Sequence, residues 1–255
     1  MVARLDHARD EKLLRKMIAR GLTTKQIAVK LQCHGCTVSR SISRLGLEFP
    51  APRLNRPRTV HFNRRFFRSI TSQSKAYTVG FIAADGSVDR WGVRIQIHNK
   101  DKDILEKIAT AVGYDGEIHY HDSGRLVMLG LYDIDVVSDL KQYGIVQRKT
   151  AILPFAKGIP DKYLFHYLRG VMDGDGSMGR QARLVTGSRL FYSQFVEWFN
   201  NTYDRDVWHR QEDNRFRLVF NQWHADFIHS LYRDARIYSD RKKDLYTLNW
   251  CHKVK

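Results

Sequence analysis

The sequence predicts an α+β fold of two pseudo-symmetric αββαββα repeats, preceded by a small all-α helix-turn-helix domain. Two segments of the chain end in the same short phrase, and their final glycines are 90 residues apart. Each segment is followed by alternating apolar residues, which are typical of strands, and then by helical periodicity. The residues before the first segment show helical periodicity alone. We therefore expect domains at 1–48, 75–160 and 161–255, with a linker at 49–74.

The charge of the chain is strongly and unevenly positive. The formal net charge is +16, and residues 1–75 carry 17 Lys and Arg against 4 Asp and Glu. Double-stranded DNA is therefore the expected partner. A membrane is not expected, because the sequence has no long apolar run. Three cysteines leave one unpaired, which favours a reducing, intracellular location such as the cytoplasm.

Helical periodicity defines the first domain. Helices are expected at 10–20 and 37–45, with a second helix between them. In the last helix, Arg40 and Arg44 stand four residues apart on the outward face, where they are candidate contacts to DNA. The alternative is an ordinary three-helix core without DNA contacts.

The turn before the third helix and the linker after it carry two further patterns. Cys33 and Cys36 have zinc-like spacing, but no second pair of ligands accompanies them, so a tight turn is expected there. In the linker, Arg56 and Arg58 flank Pro57, and proline keeps the chain extended. Extended segments with arginine fit the minor groove of DNA. A solvated spacer is the alternative.

The two matching segments, 78–86 and 168–176, place small residues four apart on one helical face. These small residues are Gly80, Ala84, Gly170 and Gly174. Positions four apart lie one above the other on a helix. We therefore expect the two segments to form helices that approach closely, backbone against backbone.

Each segment also ends in a carboxylate, Asp85 in the first and Asp175 in the second. Pairing the helices brings both to helix C-termini, where the helix dipole is already negative. Two like charges there require a proton or a cation. A divalent metal ion is expected, with the backbone carbonyls of Ala84 and Gly174 as further ligands. Asp173 has no carboxylate counterpart in the first segment and is expected to be an interface or N-cap partner rather than a metal ligand.

Strand and helix patterns follow in the order that two repeats require. The predicted elements are a strand at 91–98, a helix at 101–113, strands at 117–121 and 126–131 and a helix at 134–143, then a strand at 180–186, a helix at 190–200, strands at 206–211 and 215–221 and a helix at 225–235. Polar residues on the outer strand faces are candidate contacts to DNA bases, namely Arg94, Gln96, His98, Arg183, Arg215 and Arg217. Two such sheets would form one saddle over a duplex. The alternative is that these are merely solvent-side residues of antiparallel sheets.

The two segments and the patterns after them resemble the paired motifs of the LAGLIDADG homing endonucleases in their single-chain form. The resemblance covers residues 75–255. It implies a monomer with internal pseudo-two-fold symmetry that cleaves specific DNA sites with two or three Mg²⁺ or Mn²⁺ ions shared between Asp85 and Asp175. The implied reaction cuts both strands across the minor groove and leaves short 3′ overhangs. A DNA-binding regulator or an RNA maturase that keeps the fold without cutting is the alternative.

The same resemblance implies further catalytic residues. The family has basic residues at the start of the segment after each repeat's last helix, which corresponds to Lys149 and Lys242. A lysine there would orient water or stabilise developing charge. Asn99 corresponds to a position that often holds a polar, water-positioning residue, and its counterpart in the second repeat is Gly187. The alternative is that the lysines are surface residues at a helix–loop junction.

Overall fold

The structure is a computed structural model that describes residues 7–47, 60–213 and 215–253. The chain divides into two compact units, with the boundary between Thr59 and Val60. Of the predicted linker, residues 49–59 lie outside the described part of the chain.

Within its described residues, 7–47, the first unit contains three helices. They are α1 (His7–Ala19), α2 (Thr24–Lys30) and α3 (Gly35–Arg44). Thr23 caps α2, because its side chain accepts a hydrogen bond from the amide of Gln26, whose own side chain accepts one from the amide of Thr23. Leu14, Ile27 and Val38 are buried in one small core. The all-α prediction for this region is confirmed.

The third helix begins two residues earlier than predicted. His34 is extended, and the helix starts directly after it at Gly35, so Cys36 lies in the first turn of the helix. Cys33 remains in the turn before it, and both cysteines are free. The apolar residues at Val38 and beyond fix only the buried face of a helix, and for this reason periodicity places its start poorly.

The first repeat has the predicted order of elements. It runs α4 (Gln73–Asp85), β1 (Gly86–Val88), β2 (Val93–His98), α5 (Lys102–Val112), β3 (His119–His121), β4 (Leu126–Leu131) and α6 (Ile134–Lys141). The second repeat has the same order. It runs α7 (Leu164–Asp175), β5 (Gly176–Met178), β6 (Ala182–Thr186), α8 (Arg189–Tyr203), β7 (Trp208–Glu212), β8 (Arg215–Phe220) and α9 (Ala225–Tyr232). The two αββαββα repeats are thus confirmed.

One further helix, α10 (Asp240–Asn249), follows the second repeat, where the sequence predicted none. Its first five residues are all charged, so the helix shows little apolar periodicity. Lys242 and Tyr246, four residues apart, are nevertheless buried on one face. Burial of a charged side chain, which periodicity does not detect, defines the inner face of this helix.

The two sheets have equivalent topologies, β1-β2-β4-β3 and β5-β6-β8-β7, and all their strand pairs are antiparallel. Alternate residues of β2 are buried, which leaves its polar residues on the opposite face. In the second sheet, Arg183 pairs in register with Val219, and Val185 pairs with Arg217. The arginines of neighbouring strands therefore share one face of this sheet.

The helices α4 and α7 pack against each other in the middle of the second unit. A Cβ atom added to Gly80 would lie 2.0 Å from the carbonyl oxygen of Tyr167, and one added to Gly170 would lie 2.1 Å from that of Tyr77. The two backbones touch at these glycines, so neither position has room for a side chain. The predicted close approach is confirmed.

Candidate functional site

Both central helices end in the same helix-to-strand turn. Asp85 is the last residue of α4 and Asp175 the last of α7, and the next residue of each begins a strand. A Cβ at Gly86 would lie 2.5 Å from the carbonyl oxygen of Ile82, and one at Gly176 would lie 2.5 Å from that of Met172. Glycine after each aspartate therefore allows the chain to leave the helix abruptly, which fixes both carboxylates at the helix ends.

The two carboxylates occupy an environment that disfavours their charged forms. Partial burial, and then the charge of Asp85, raise the pKa of Asp175 to about 6, although Lys149 and Lys242 act to lower it. Burial also raises the pKa of Asp85, while Lys242 and Lys149 lower it. Mutual repulsion at two negative helix ends is the situation that the sequence predicted, and a bound cation would relieve it.

The small residue at position 174 leaves space for the carboxylate of the other repeat. A Cβ added to Gly174 would lie 2.4 Å from the Cβ of Ala84 and 3.2 Å from Oδ2 of Asp85. The Asp85 carboxylate thus rests against the last turn of α7. A larger residue would displace it.

Lys149 lies at the end of the first central helix, as the sequence predicted. It begins a 3₁₀ turn and is 7% exposed, and its Nζ donates a hydrogen bond to the carbonyl oxygen of Ala84 at 3.2 Å. Burial lowers the pKa of Lys149, while the charges of Asp175 and Asp85 raise it. The ammonium group therefore interacts with both carboxylates and makes one hydrogen bond to the helix end.

Lys242 lies at the end of the second central helix and is more tightly held. Its Nζ donates to the carbonyl oxygens of Met172 at 2.8 Å, Asp173 at 2.5 Å and Gly176 at 2.8 Å, with that of Gly174 at 3.3 Å. An ammonium group has three protons, so its donors are fully engaged. Lys242 thereby donates to the last carbonyls of α7, and that of Met172 also accepts the amide of the cap residue Gly176.

Each lysine-bearing segment is anchored on the other repeat. After Lys149, the carbonyl oxygen of Leu153 accepts a hydrogen bond from Oγ of Ser188 at 2.7 Å. Before Lys242, Arg241 donates two hydrogen bonds to Asp101, from Nε at 2.6 Å and from Nη2 at 3.1 Å. Sequence reasoning missed these anchors, because no local pattern marks contacts between residues so far apart in the chain.

A cavity of about 230 Å³ lies beside the Asp85 carboxylate. Gln96 and His98 of β2 line it, together with Asp101 and Lys242. Asn99, the predicted water-positioning residue, is exposed and begins a 3₁₀ turn just after β2. Gln96 thus lines the cavity beside Asp85, whereas Asn99 is not among the residues that line it. The water-positioning role of Asn99 stays a prediction.

Asp173 joins the two repeats. Its carboxylate accepts hydrogen bonds from the hydroxyl of Tyr77 at 2.7 Å, the hydroxyl of Tyr232 at 2.6 Å and the amide of Ser239 at 2.8 Å. Tyr77 belongs to α4 of the first repeat, whereas the other two partners belong to the second. The expected interface role of Asp173 is confirmed.

The candidate DNA contacts lie on exposed faces, with two outside the described residues. Arg94, Gln96 and His98 are exposed along β2, Arg183 and Arg215 are exposed on the second sheet, and Arg217 is half-buried. Arg40 and Arg44 are exposed on α3. Arg56 and Arg58 lie outside the described part of the chain. Contacts of any of these residues with DNA stay predictions.

The donor set at the helix ends fits a hard divalent cation that completes its coordination with other ligands. Among the described residues, no three or more His, Cys, Asp or Glu side chains are grouped so that they could hold a metal ion. Mg²⁺, however, is commonly bound through one or two carboxylates together with water and substrate phosphate. The carbonyls of Ala84 and Gly174 each accept a lysine hydrogen bond, which leaves one lone pair for a cation.

Comparisons with known proteins reveal the likeness in structure rather than in sequence. No protein-family model matches the chain, and no curated protein matches it by sequence. Among solved structures, the LAGLIDADG meganuclease I-CpaMI bound to uncleaved DNA matches with a TM-score of 0.50 at 14% identity, over 70% of this chain and 91% of that one. The homing endonuclease I-WcaI bound to its DNA recognition sequence matches with a TM-score of 0.50 at 8% identity, over 70% of this chain and 89% of that one.

These likenesses show the fold. The chain has the LAGLIDADG fold in its two-repeat form, as its paired motifs predicted. None of the described helices is both long and apolar enough to cross a bilayer.

Proposed function

We propose that this protein is a site-specific, metal-dependent DNA endonuclease of the homing type that cleaves both strands of a duplex and leaves short 3′ overhangs. One observation carries the proposal: each repeat delivers one carboxylate, Asp85 or Asp175, to the adjoining ends of two tightly packed helices, where partial removal from water raises the pKa of both. A purely structural helix pair gains nothing from two like charges at its negative ends. A bound cation would offset the repulsion between the two carboxylates.

In this proposal the two aspartates, with the carbonyls of Ala84 and Gly174, hold two or three Mg²⁺ or Mn²⁺ ions. Divalent cations, when bound, supply Lewis-acid activation of water and stabilise charge at the phosphate. The chain itself supplies position, because the glycine contacts between α4 and α7 fix the distance between the carboxylates.

The two lysines have different roles in this mechanism. The ammonium group of Lys149 makes a single hydrogen bond and has two further protons with which to orient an attacking water or a phosphate oxygen. The ammonium group of Lys242 is occupied by backbone carbonyls, so it maintains the end of α7 and offsets the charge of Asp85. Asn99 and Gln96 are the polar candidates for positioning water near Asp85.

Double-stranded DNA is the proposed substrate, bound by one chain with internal pseudo-two-fold symmetry. The polar faces of the two sheets contact base edges through Arg94, Gln96, His98, Arg183, Arg215 and Arg217. The first unit acts as a helix-turn-helix module through Arg40 and Arg44, and the linker enters the minor groove through Arg56 and Arg58. The net charge of +16 supports attraction to phosphate over long range.

The proposal is tested by incubating the protein with a randomised duplex library and Mg²⁺, and by sequencing the ends produced. The Asp85→Asn/Asp175→Asn double variant is the matched control. We expect staggered ends at one recurrent sequence from the parent and none from the control. If both proteins enrich the same bound sequence and neither produces ends, the chain is a DNA-binding regulator, and the nuclease proposal is wrong.

A further inference from the structure

The second sheet carries one residue of the wrong sign for a DNA-binding face. Glu212, the last residue of β7, is the only acidic residue in the eight strands that the structure describes. It pairs in register with Arg215, and the neighbouring pair on the same face is Arg210 with Arg217. A carboxylate at this position repels phosphate. It therefore lowers the affinity for DNA, and its presence here indicates a second role.

The contacts of Glu212 indicate that this role is to hold a neighbouring arginine in place. Nη2 of Arg217 donates a hydrogen bond to its Oε2 at 2.8 Å, and Nε of Arg210 lies 3.6 Å from its Oε1. Glu212 is 34% exposed and Arg217 is 38% exposed, whereas Arg210 is 65% exposed. The carboxylate thus holds one arginine firmly and a second one loosely, in the middle of a cluster of three.

The first sheet provides a contrast. At the equivalent place, its outer edge pairs His119 with Met128 and His121 with Leu126. Neither an arginine cluster nor an acidic residue occurs on these two strands, and the ion pair of Asp122 with Arg125 lies in the turn between them. The carboxylate on the strand is therefore associated with the arginine cluster and is not a feature that the two equivalent sheets share.

Three neighbouring arginines without an acid would repel one another and would bind phosphates regardless of sequence. A guanidinium has five N–H donors in a rigid plane, so a carboxylate that takes one of them fixes the direction of the others. Those that remain on Arg217 have the spacing that a guanine edge requires in the major groove.

We infer that Glu212 is a specificity-determining residue of the second repeat: it positions Arg217 to read a base edge, and its charge weakens the attraction of the neighbouring arginines for phosphate. The inference rests on the proposed binding of specific double-stranded DNA, and it does not require cleavage. Glu212 acts through Arg217 and is therefore a positioning residue.

The experiment selects bound sequences from a randomised duplex library with the full-length parent and with Glu212→Gln, and measures affinity for a random duplex at several salt concentrations. A well-placed arginine–guanine contact discriminates between bases by about 5- to 150-fold. We expect Glu212→Gln to lose most of this discrimination at one or two base pairs. Affinity for the random duplex should rise, and the slope of log K against log salt should steepen by about 0.9 for each additional phosphate that the variant neutralises.

Three further variants separate orientation from charge. Asp234→Asn removes the same charge from an exposed ion pair with Arg233, outside the strands, and should leave the selected sequence unchanged. Glu212→Asp keeps the charge but shortens the reach, so it should lose base discrimination while affinity for the random duplex stays low. In an Arg217→Ala background, Glu212→Gln should cause no further loss of discrimination.

The outcomes distinguish the inference from the proposed function. If the parent selects a sequence and Glu212→Gln selects the same one with equal discrimination, the inference is wrong and DNA recognition stands. If the parent shows no sequence preference at all, the inference and site-specific recognition both fail. Thermal melting of each variant verifies that the binding comparison concerns folded protein.

Discussion

The central helices α4 and α7 have equivalent C-terminal ends, but a matched face is apolar in α4 and polar in α7. Aligned on Gly80 and Gly170, both end in an aspartate and touch the partner backbone at glycine. Three further matched positions differ completely, being Ala76, Val79 and Ala83 in α4 but His166, Arg169 and Asp173 in α7. The two helices are therefore symmetric at the glycines and the aspartates of the site and differ at these three other positions.

The polar face of α7 fixes the end of the chain to the site. Arg169 is fully buried, and it donates hydrogen bonds to the carbonyl oxygens of Ile237 at 2.9 Å and Leu231 at 2.7 Å. Asp173 accepts the amide of Ser239 at 2.8 Å. These contacts hold the segment that leads into α10, and α10 places Lys242 over the end of α7. The matched alanines and valine of α4 make no hydrogen bond of this kind, because they have no polar side-chain atoms.

The largest predicted effect is the loss of cleavage on replacing either aspartate, and it should be equal for α4 and α7. Asp85→Asn and Asp175→Asn should each abolish double-strand cleavage, because one shared site cannot function with half its charge. DNA binding should persist in both, since removal of a carboxylate near phosphate reduces repulsion. Gel-based cleavage and binding assays measure the two properties separately. Full cleavage by either variant in Mg²⁺ would show that the site belongs to one helix only.

The next effect tests the backbone contact itself. Gly80→Ala and Gly170→Ala should each destabilise the protein by about 3 kcal/mol, because the new methyl group meets a carbonyl oxygen that cannot move without separating the helices. Urea unfolding measures the change. Gly179→Ala is the matched control, since its nearest atom would be 3.6 Å away. Gly92 is unsuitable, because a Cβ there would lie 2.4 Å from the carbonyl oxygen of Leu131. Parent-like unfolding of Gly170→Ala would refute the close contact.

A smaller effect should separate the two lysines. Lys242→Met removes the lysine donor from several carbonyls, of which that of Met172 keeps the amide of Gly176, whereas Lys149→Met removes it from one. Lys242→Met should therefore be less stable than Lys149→Met by about 2 kcal/mol in urea unfolding. Single-turnover cleavage at saturating protein should instead fall further in Lys149→Met. Equal stability of the two variants would mean that the helix ends are supported alike.

The smallest effect concerns pH and only α7. Burial, and then the charge of Arg169, lower the pKa of His166 to about 4, and Nη1 of Arg169 donates to its Nδ1 at 2.9 Å. A histidine whose pKa is lowered on folding binds fewer protons in the folded state, so stability is complete above pH 6.5 and falls as the pH drops towards 4. His166 is partly exposed, which reduces the effect to about 1 kcal/mol. His166→Asn should flatten the pH dependence of the free energy of unfolding over this range, whereas an unchanged profile would assign the acid sensitivity to other groups.

Much of this fold was predictable because its determinants are local. The motif glycines, the aspartates and the alternating strands are read directly from the sequence, and they placed both repeats correctly. The resemblance located Lys149 and Lys242 by position. The bidentate contact of Asp101 with Arg241 was not predictable, because it joins residues 140 apart that share no pattern.

Other differences have equally specific causes. The helix α10 was missed because its inner face is formed partly by a lysine, which periodicity reads as exposed. Gln96 was predicted as a DNA contact, yet it also lines the cavity beside Asp85, since β2 pairs with the strand that leaves the end of α4. Sequence patterns identify the face on which a side chain lies, but not its distance from a residue on another element.

The central claim is that one carboxylate from each helix forms a single cation site, and binding of Mn²⁺ tests it most directly. Electron paramagnetic resonance would count the ions bound by the protein on its selected duplex, for the parent, for Asp85→Asn, for Asp175→Asn and for the double variant. We expect either single variant to lose nearly as much bound Mn²⁺ as the double variant, because the two carboxylates act as a unit. Equal Mn²⁺ binding by the parent and the double variant would contradict the claim.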